Sequence, residues 1–220
     1  MPPLNEARRG RLADAAMLIL ARDGARGLTH RAVDAEAGEP PGTTSRYFRT
    51  RRALLTAVME RARGLHFPDL AAAAVQDSTV DVVDRLTGIV WSAVTVNRTR
   101  HLAMAELFLE STRRPELREG LAATRAAQTR LLGEICRAAG IRLTRRQETA
   151  LAALVTGLVF IGMTTPQPLR LDEDGEIRAL IRLALTAGRT TASRATASRS
   201  TAGRSASSTA ARPASPHPRP

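Results

Sequence analysis

A cluster of hydroxyl groups lies within residues 28–55 of this chain, LTHRAVDAEAGEPPGTTSRYFRTRRALL. Thr43, Thr44, Ser45 and Tyr47 stand almost in succession, and each of their hydroxyls can donate a hydrogen bond to a phosphate oxygen. The threonine methyl groups also suit apolar contact with the methyl group of thymine. Tyr47 has a second possible role, in which its ring shields a hydrophobic core while its hydroxyl meets a phosphate. This chemistry is typical of a surface that contacts a nucleic acid.

Arginines accompany these hydroxyls. Arg31 and Arg46 can each donate paired hydrogen bonds to a guanine edge in a major groove, and Arg51 can hold another phosphate. Arg46 has the alternative role of a solvated surface charge. Phosphate contacts fix the register and supply salt-dependent affinity, whereas base contacts supply sequence preference. The predicted DNA-contacting residues are Thr29, His30, Arg31, Pro41, Gly42, Thr43, Thr44, Ser45, Arg46, Tyr47 and Arg51.

A helix, a tight turn and a second short helix are predicted to position these side chains. Thr29 is a hydroxyl N-cap for a helix that runs to Ala37. Gly38 supplies the turn because glycine adopts a positive φ without steric cost. Pro41 presets φ at the first position of the next helix, which extends to about Phe48. We therefore predict a helix-turn-helix, with Phe48 in the core rather than on the DNA.

The first third of the chain resembles the DNA-binding domain of the TetR (tetracycline repressor) family. The pieces occur in the order and spacing of that family, which makes the match more specific than any single dipeptide. The residues that carry the resemblance are Leu12, Ala15, Ala16, Ile19 and Gly24 in a first helix, then Leu28-Thr29, Ala37-Gly38, Gly42-Thr43, Tyr47-Phe48 and Leu54-Leu55.

Four positions depart from the family pattern. Glu39 stands where a small apolar residue is usual, and Pro40 occupies the usual capping position without a side-chain acceptor. Thr44 and Ser45 replace a common Leu-Tyr pair. We therefore expect this chain to have its own base-reading surface.

The composition agrees with a DNA-binding protein. The chain has 220 residues, 43% of them hydrophobic, which is enough for a core, and its net charge is +12. Part of the excess lies in Arg8, Arg9 and Arg11 and part in a C-terminal series of arginines, an arrangement that favours polyanions. The single cysteine, Cys136, excludes an intrachain disulfide, and no apolar run follows Met1. A cytoplasmic protein acting at the nucleoid is expected.

Helical patterns continue through the rest of the chain, and no segment alternates as a strand. They cover about residues 80–97, 102–112, 115–139, 145–164 and 173–188. Thr144 followed by Gln147, and Asp172 before the last pattern, resemble N-terminal caps. The apolar stretch near residues 150–163 is shorter than a bilayer span and is predicted to be a buried helix.

These patterns predict an all-α protein with three parts. Residues 1–67 form a three-helix helix-turn-helix domain, and residues 68–188 form a helical bundle. Residues 189–220 repeat an arginine every fifth residue as far as Arg204, with almost no large apolar side chains and no acidic residue. This tail is expected to stay disordered and either to add weak, sequence-independent DNA affinity or to be inert.

The resemblance implies that the bundle binds a small, largely apolar ligand and forms a homodimer. In the family, the last two helices pack against those of the partner. The predicted interface residues are Leu151, Leu154, Val155, Leu158, Ile161, Leu180, Ile181 and Leu183. The predicted pocket residues, for which ordinary core packing is the alternative, are Trp91, Thr95, Met104, Phe108, Thr124, Gln128 and Phe160.

An enzyme is disfavoured by the sequence. It contains no phosphate loop, no Gly-x-Ser-x-Gly and no His-Glu-x-x-His, and its four histidines are scattered. We predict a sequence-specific transcriptional regulator without a cofactor or metal, most simply a repressor that a small-molecule effector releases from a palindromic operator. The alternative is an architectural, nucleoid-associated DNA-binding protein without an effector. The two classes differ because only the regulator binds its operator orders of magnitude more tightly than random DNA.

Overall fold

The computed structural model describes residues 5–75, 81–165 and 175–186 of the chain. No β-strand occurs in those ranges, so the predicted all-α class is confirmed. The predicted tail at 189–220 and the cap at Asp172 lie outside the described residues. The helices are α1 Glu6–Gly27, α2 His30–Glu36, α3 Thr43–Tyr47, α4 Arg51–Val75, α5 Val82–Val94, α6 Arg98–Arg113, a 3₁₀ helix Pro115–Leu117, α7 Arg118–Ala138, α8 Arg145–Thr164 and α9 over residues 176–186.

Local sequence signals fix several helix ends. Helix α8 has the predicted bounds, and Thr144 and Gln147 form the expected capping box. Helix α3 begins at Thr43 rather than at Pro41, because Gly42 precedes it with a φ of +89°, outside the helical region. Helix α6 begins at Arg98, four residues before the predicted 102. The patterns therefore located the elements, but their ends depend on single backbone conformations.

Helix α4 joins the DNA-binding half to the bundle without a break. It continues through Pro68, so the predicted boundary between residues 67 and 68 falls inside a helix. Proline has no N–H to donate, and its ring crowds the carbonyl one turn earlier, so a helix break is the usual outcome. Here the helix persists for a further seven residues, to Val75.

The first hydrophobic core combines the helix-turn-helix with part of the bundle. Leu20 of α1, Phe48 after α3 and Leu55 of α4 are almost completely buried in it, and Phe48 is the core residue that was expected. Leu107 of α6 and Leu117 of the 3₁₀ helix are buried in the same cluster. The DNA-binding half therefore does not complete its core without the bundle.

The second core lies among α5, α7, α8 and α9. Leu86, Leu132 and Ile181 are completely buried in it. Cys136 is also buried here, and burial raises the pKa of its thiol to about 11. Helix α8 is long and apolar enough to cross a membrane by length and composition alone, but it packs against α5 and α7 and contributes Val155 to this core.

Candidate DNA-binding surface and cavity

The geometry of the helix-turn-helix depends on one buried carboxylate. Asp34, near the end of α2, is 3% exposed. Its Oδ2 accepts a hydrogen bond from the backbone N–H of Gly42 at 2.7 Å. Its Oδ1 accepts from the backbone N–H of Thr44 at 2.7 Å and from the Thr44 hydroxyl at 2.5 Å. Asp34 therefore fastens the start of α3 to the end of α2.

This carboxylate is held in its charged form. Burial by itself would raise the pKa of Asp34, but the hydrogen bonds from Thr44 and Gly42 outweigh that effect and lower it. The turn between the helices is made by Gly38, whose φ of +63° confirms the predicted positive-φ position. Thr29 is confirmed as the N-cap of α2, since its hydroxyl oxygen accepts from the Ala32 N–H at 3.1 Å.

Most of the predicted contact residues are accessible to solvent on the helix-turn-helix. The exposed ones are Thr29, Arg31, Pro41, Gly42, Ser45 and Arg46, and the partly buried ones are His30, Thr43 and Tyr47. Neither Arg31 nor Arg46 has an ion-pair partner within the part of the chain that the structure describes. Their guanidinium groups can therefore contact DNA without first breaking a salt bridge.

Two predicted contacts are wrong. Thr44 is completely buried and its hydroxyl donates to Asp34, so Thr44 positions α3 instead of touching a phosphate. The guanidinium of Arg51 donates to the carbonyl oxygens of Ala25 and Leu28, which ties α4 to the end of α1. The hydrogen-bonding capacity assigned to DNA is used inside the protein at both positions.

Two further contact residues have internal partners in the free protein. The Thr43 hydroxyl donates to the carbonyl of Pro40 at 2.7 Å and must rotate before it can donate to a phosphate. His30 Nε2 lies 2.6 Å from the carbonyl oxygen of Phe48. Tyr47 differs from both, because its Oη accepts from the N–H of Asn5 at 3.2 Å and keeps its own proton for a phosphate.

The unusual Glu39 has a structural role that the sequence did not reveal. Its side chain is 8% exposed and pairs with Arg8 at 3.2 Å and with Arg11 at 3.0 Å. Arg9 lies over the ring of Phe48, 4.8 Å from its centroid. These three N-terminal arginines were expected to attract polyanions, but they are used to hold α1 against the turn and α3.

A cavity of about 450 Å³ lies within the bundle. It is bordered by α4, α5, α6, α7 and α8. Of the predicted pocket residues, the structure brings together Met104, Phe108, Thr124, Gln128 and Phe160 in its wall.

Trp91 and Thr95 do not line this cavity, so their assignment to the pocket is wrong. The Trp91 side chain is 49% exposed, and the Thr95 hydroxyl donates to the Trp91 carbonyl at 2.7 Å. The predicted helix over residues 80–97 did not indicate on which of its faces these two residues lie. The face is decided by how α5 packs on α8, with Val90 and Ala93 buried instead.

The cavity wall also contains basic residues that the sequence patterns did not predict. Arg63 and His66 come from α4, Arg100 and His101 from α6, and Arg125 from α7. The rings of His66 and His101 meet edge to face with their centroids 5.2 Å apart. Only the packing of α4 against α6 brings the two histidines together, so no spacing rule could have found them.

Both histidines are kept neutral. Burial is the main reason that the pKa of His66 falls to about 4, and the charges of His101 and Arg100 add to it, while Asp69 opposes the shift. Burial also lowers the pKa of His101. At neutral pH the imidazoles therefore act as neutral hydrogen-bonding groups in the wall.

Acidification is expected to destabilise the protein through His66. Its folded-state pKa of about 4 lies below the usual 6.5, so the unfolded chain binds a proton that the folded chain excludes. The folded state keeps its full stability above pH 6.5 and loses about 2–3 kcal/mol as the pH falls towards 4. Urea unfolding between pH 7.5 and 5 measures this slope. His66→Gln should reduce this slope and leave the part that His101 contributes, and an unchanged slope in that variant would contradict the assignment.

The predicted dimer surface divides into two sets. Ile161, Leu180 and Leu183 are 44%, 39% and 64% exposed, as an interface requires. Four of the other predicted positions are wrong, since Leu151, Val155, Leu158 and Ile181 are buried in the protomer's own second core. Leu154 is half-buried against that core, so its place in an interface stays a prediction. Phe160, which also borders the cavity, is 48% exposed.

These features define a class of protein. A helix-turn-helix shares its core with a helical bundle that contains a largely apolar cavity. This is the organisation of a transcriptional regulator that carries its DNA-binding and effector-binding parts in the same polypeptide. A family model described as "Tetracyclin repressor-like, C-terminal domain" matches residues 71–187. The chain belongs to the TetR family.

Solved structures support this assignment. The multidrug binding protein EbrR complexed with malachite green has 30% sequence identity, covers 80% of this chain and 97% of its own, and has a TM-score of 0.62. The EbrR complex with ethidium has 27% identity, covers 82% and 99%, and has a TM-score of 0.64. A TetR family member from Streptomyces coelicolor A3 has 28% identity, covers 80% and 97%, and has a TM-score of 0.66. A comparison with curated protein sequences gives no match.

Proposed function

We propose that the protein is a homodimeric repressor that binds a palindromic operator and leaves it when a small molecule occupies the cavity. Residues 5–67 read the DNA, and the bundle binds the effector and the second copy. The protein acts in the cytoplasm at the nucleoid and transforms no substrate. The EbrR complexes with malachite green and ethidium support a small-molecule effector for this chain as well.

The position of helix α6 between the first core and the cavity is the observation that carries this proposal. Ala103 and Leu107 lie in the core shared with α1 and α4. Met104 and Phe108, each one residue further along, line the cavity. A ligand that displaces Met104 or Phe108 must therefore move a helix packed against α1. Because packed cores adopt discrete arrangements, such a shift can change the placement of the recognition helices.

Symmetry supports the palindromic site. Helix α3 is short and contacts only a few base pairs, so two copies related by a two-fold axis are needed for a specific site. The exposed Ile161, Leu180 and Leu183 offer an apolar surface on α8 and α9 for that second copy.

The first test is footprinting of the purified full chain on the DNA flanking its own gene, followed by titration of the protected site. A regulator binds that site about a thousandfold or more tightly than random DNA of equal length. Equal affinity for both DNAs would instead favour the architectural protein.

Two variants of helix α3 extend this test. Arg46→Ala should relax the preference at one base pair by about 1–3 kcal/mol, because a base contact is lost. Tyr47→Phe should weaken binding to all sequences alike, because the lost hydroxyl is the donor to a phosphate and the acceptor for the Asn5 N–H, and neither bond reads a base. Arg142→Ala is the matched control, since Arg142 is exposed in the loop between α7 and α8. Unchanged affinity in both recognition variants would contradict the proposed DNA surface.

A further inference from the structure

The charged groups around the cavity are all of one sign. Three arginines and two neutral histidines line it, and the part of the chain that the structure describes contributes no Asp or Glu to the wall. Two nearby carboxylates, Asp69 and Asp84, border instead a smaller neighbouring cavity of about 330 Å³. An organic cation in the main cavity would meet three guanidinium groups and no carboxylate in the described wall, and Asp69 reaches Arg100 only from the neighbouring cavity.

Arg100 is the buried member of this group. It is 7% exposed, and its Nη2 donates to Asp69 Oδ2 at 2.7 Å. The Asp69 side chain is 57% exposed, so water weakens the pair from that side. Among the described residues, no hydrogen-bond acceptor faces the buried Nε of Arg100 or that of Arg63. Buried N–H groups without acceptors are costly, and an oxyanion in the cavity would satisfy them.

The rest of the wall is apolar. Met104, Phe108, Phe160 and Met163 provide most of its large side chains. The guanidinium of Arg125 lies over the Phe108 ring, 5.7 Å from its centroid, and Arg125 itself is exposed. The cavity therefore offers a polar, basic region beside Arg100 and an apolar region along α6 and α8.

We propose that the effector is an organic anion, with one carboxylate or similar acidic group on a flat or extended apolar body. The acidic group lies against Arg100 beside His66 and His101, and the body packs on Phe108 and Phe160. This inference rests on the proposed effector site and assigns its ligand class. It sets this chain apart from a receptor for ethidium or malachite green, which are organic cations.

A matched set of three fluorescent probes tests the charge preference without any mutation. These are 9-anthracenecarboxylate, 9-anthracenemethanol and 9-anthracenemethylammonium, which share one aromatic body and differ in charge. Titrated into the full-length protein at pH 7.5, the carboxylate should bind roughly tenfold or more tightly than the alcohol, because it gains a hydrogen bond between charged groups. The ammonium compound should bind most weakly. Equal affinities, or preference for the ammonium compound, would overturn the proposal.

Two variants test whether the arginines of the cavity wall cause the preference for the carboxylate. Arg100→Gln should reduce the carboxylate affinity to that of the alcohol while leaving the alcohol affinity unchanged. Arg63→Gln gives a second measurement at a less buried position, should Arg100→Gln fold poorly. Arg142→Gln, which removes an equal charge from the bundle surface, should leave all three affinities unchanged. A carboxylate preference that survives both cavity variants would contradict the assignment to Arg100 and Arg63.

Operator binding separates this inference from the proposed function. If the carboxylate binds and weakens operator affinity, the operator must weaken the carboxylate by the same factor, and both proposals are supported. If the alcohol or the ammonium compound is the better effector, the cavity remains the regulatory site but anion selection is wrong. If none of the three binds or changes operator affinity, both the ligand class and the proposed effector site are contradicted.

Discussion

Replacing Asp34 with alanine is expected to lower the free energy of unfolding by about 2–4 kcal/mol and to abolish operator binding. The carboxylate accepts three hydrogen bonds from the start of α3, and its removal leaves the N–H groups of Gly42 and Thr44 without an acceptor. Helix α3 has five residues and is too short to hold its position by its own hydrogen bonds. Urea unfolding and operator titration measure the two effects.

The control for this experiment lies on the same helix. Glu36 is a surface residue paired with Arg22 at 3.1 Å, so Glu36→Ala should change the free energy of unfolding by at most about 1 kcal/mol. Asp34→Asn should fall between the two variants, because the amide oxygen can accept only part of the three hydrogen bonds. Full operator affinity in Asp34→Ala would show that the recognition helix is positioned by other contacts.

The combined substitution Ile161→Glu and Leu183→Glu is expected to convert the proposed dimer into a folded monomer. Both side chains are exposed in the protomer, so their replacement does not disturb its cores, but in a dimer the new carboxylates would be buried without partners. Loss of the second recognition helix should reduce affinity for the palindrome about a hundredfold or more. Affinity for an isolated half-site should not change.

Sedimentation equilibrium measures the oligomeric state in this experiment. Val96→Glu is the control, since Val96 is 84% exposed in the turn between α5 and α6 and should leave the dimer intact. A double variant that remains dimeric would place the interface elsewhere on the bundle.

Short-range signals in the sequence were sufficient for several parts of this protein. Thr29 and Thr144 cap their helices as predicted, and Gly38 adopts the predicted positive φ. The bounds of α8 follow directly from its capping box and its apolar run. Each of these features depends on atoms a few residues apart, so a local pattern contains the relevant interactions.

The same local reasoning failed for polar side chains whose partners are distant in the chain. Thr44 carries the same hydroxyl as Thr43, but only the packing of α3 on α2 places it against Asp34. Arg51 was assigned to a phosphate, whereas the fold places backbone carbonyls of Ala25 and Leu28 beside it. A side chain's chemistry determines what it can bind, but its neighbours determine what it does bind.

The bundle shows this limit most clearly. Leu151 and Ile161 are both apolar residues on α8 that no local pattern separates, but Leu151 is 2% exposed and Ile161 is 44% exposed. His66 and Arg100 belong to different helices, so their meeting in one cavity wall is a property of helix packing. The sequence thus determined the helices, their caps and the family, because these depend on local geometry and residue order. Only the tertiary structure decided which apolar face is core or surface and which charges line the cavity, because burial is set by all helices together.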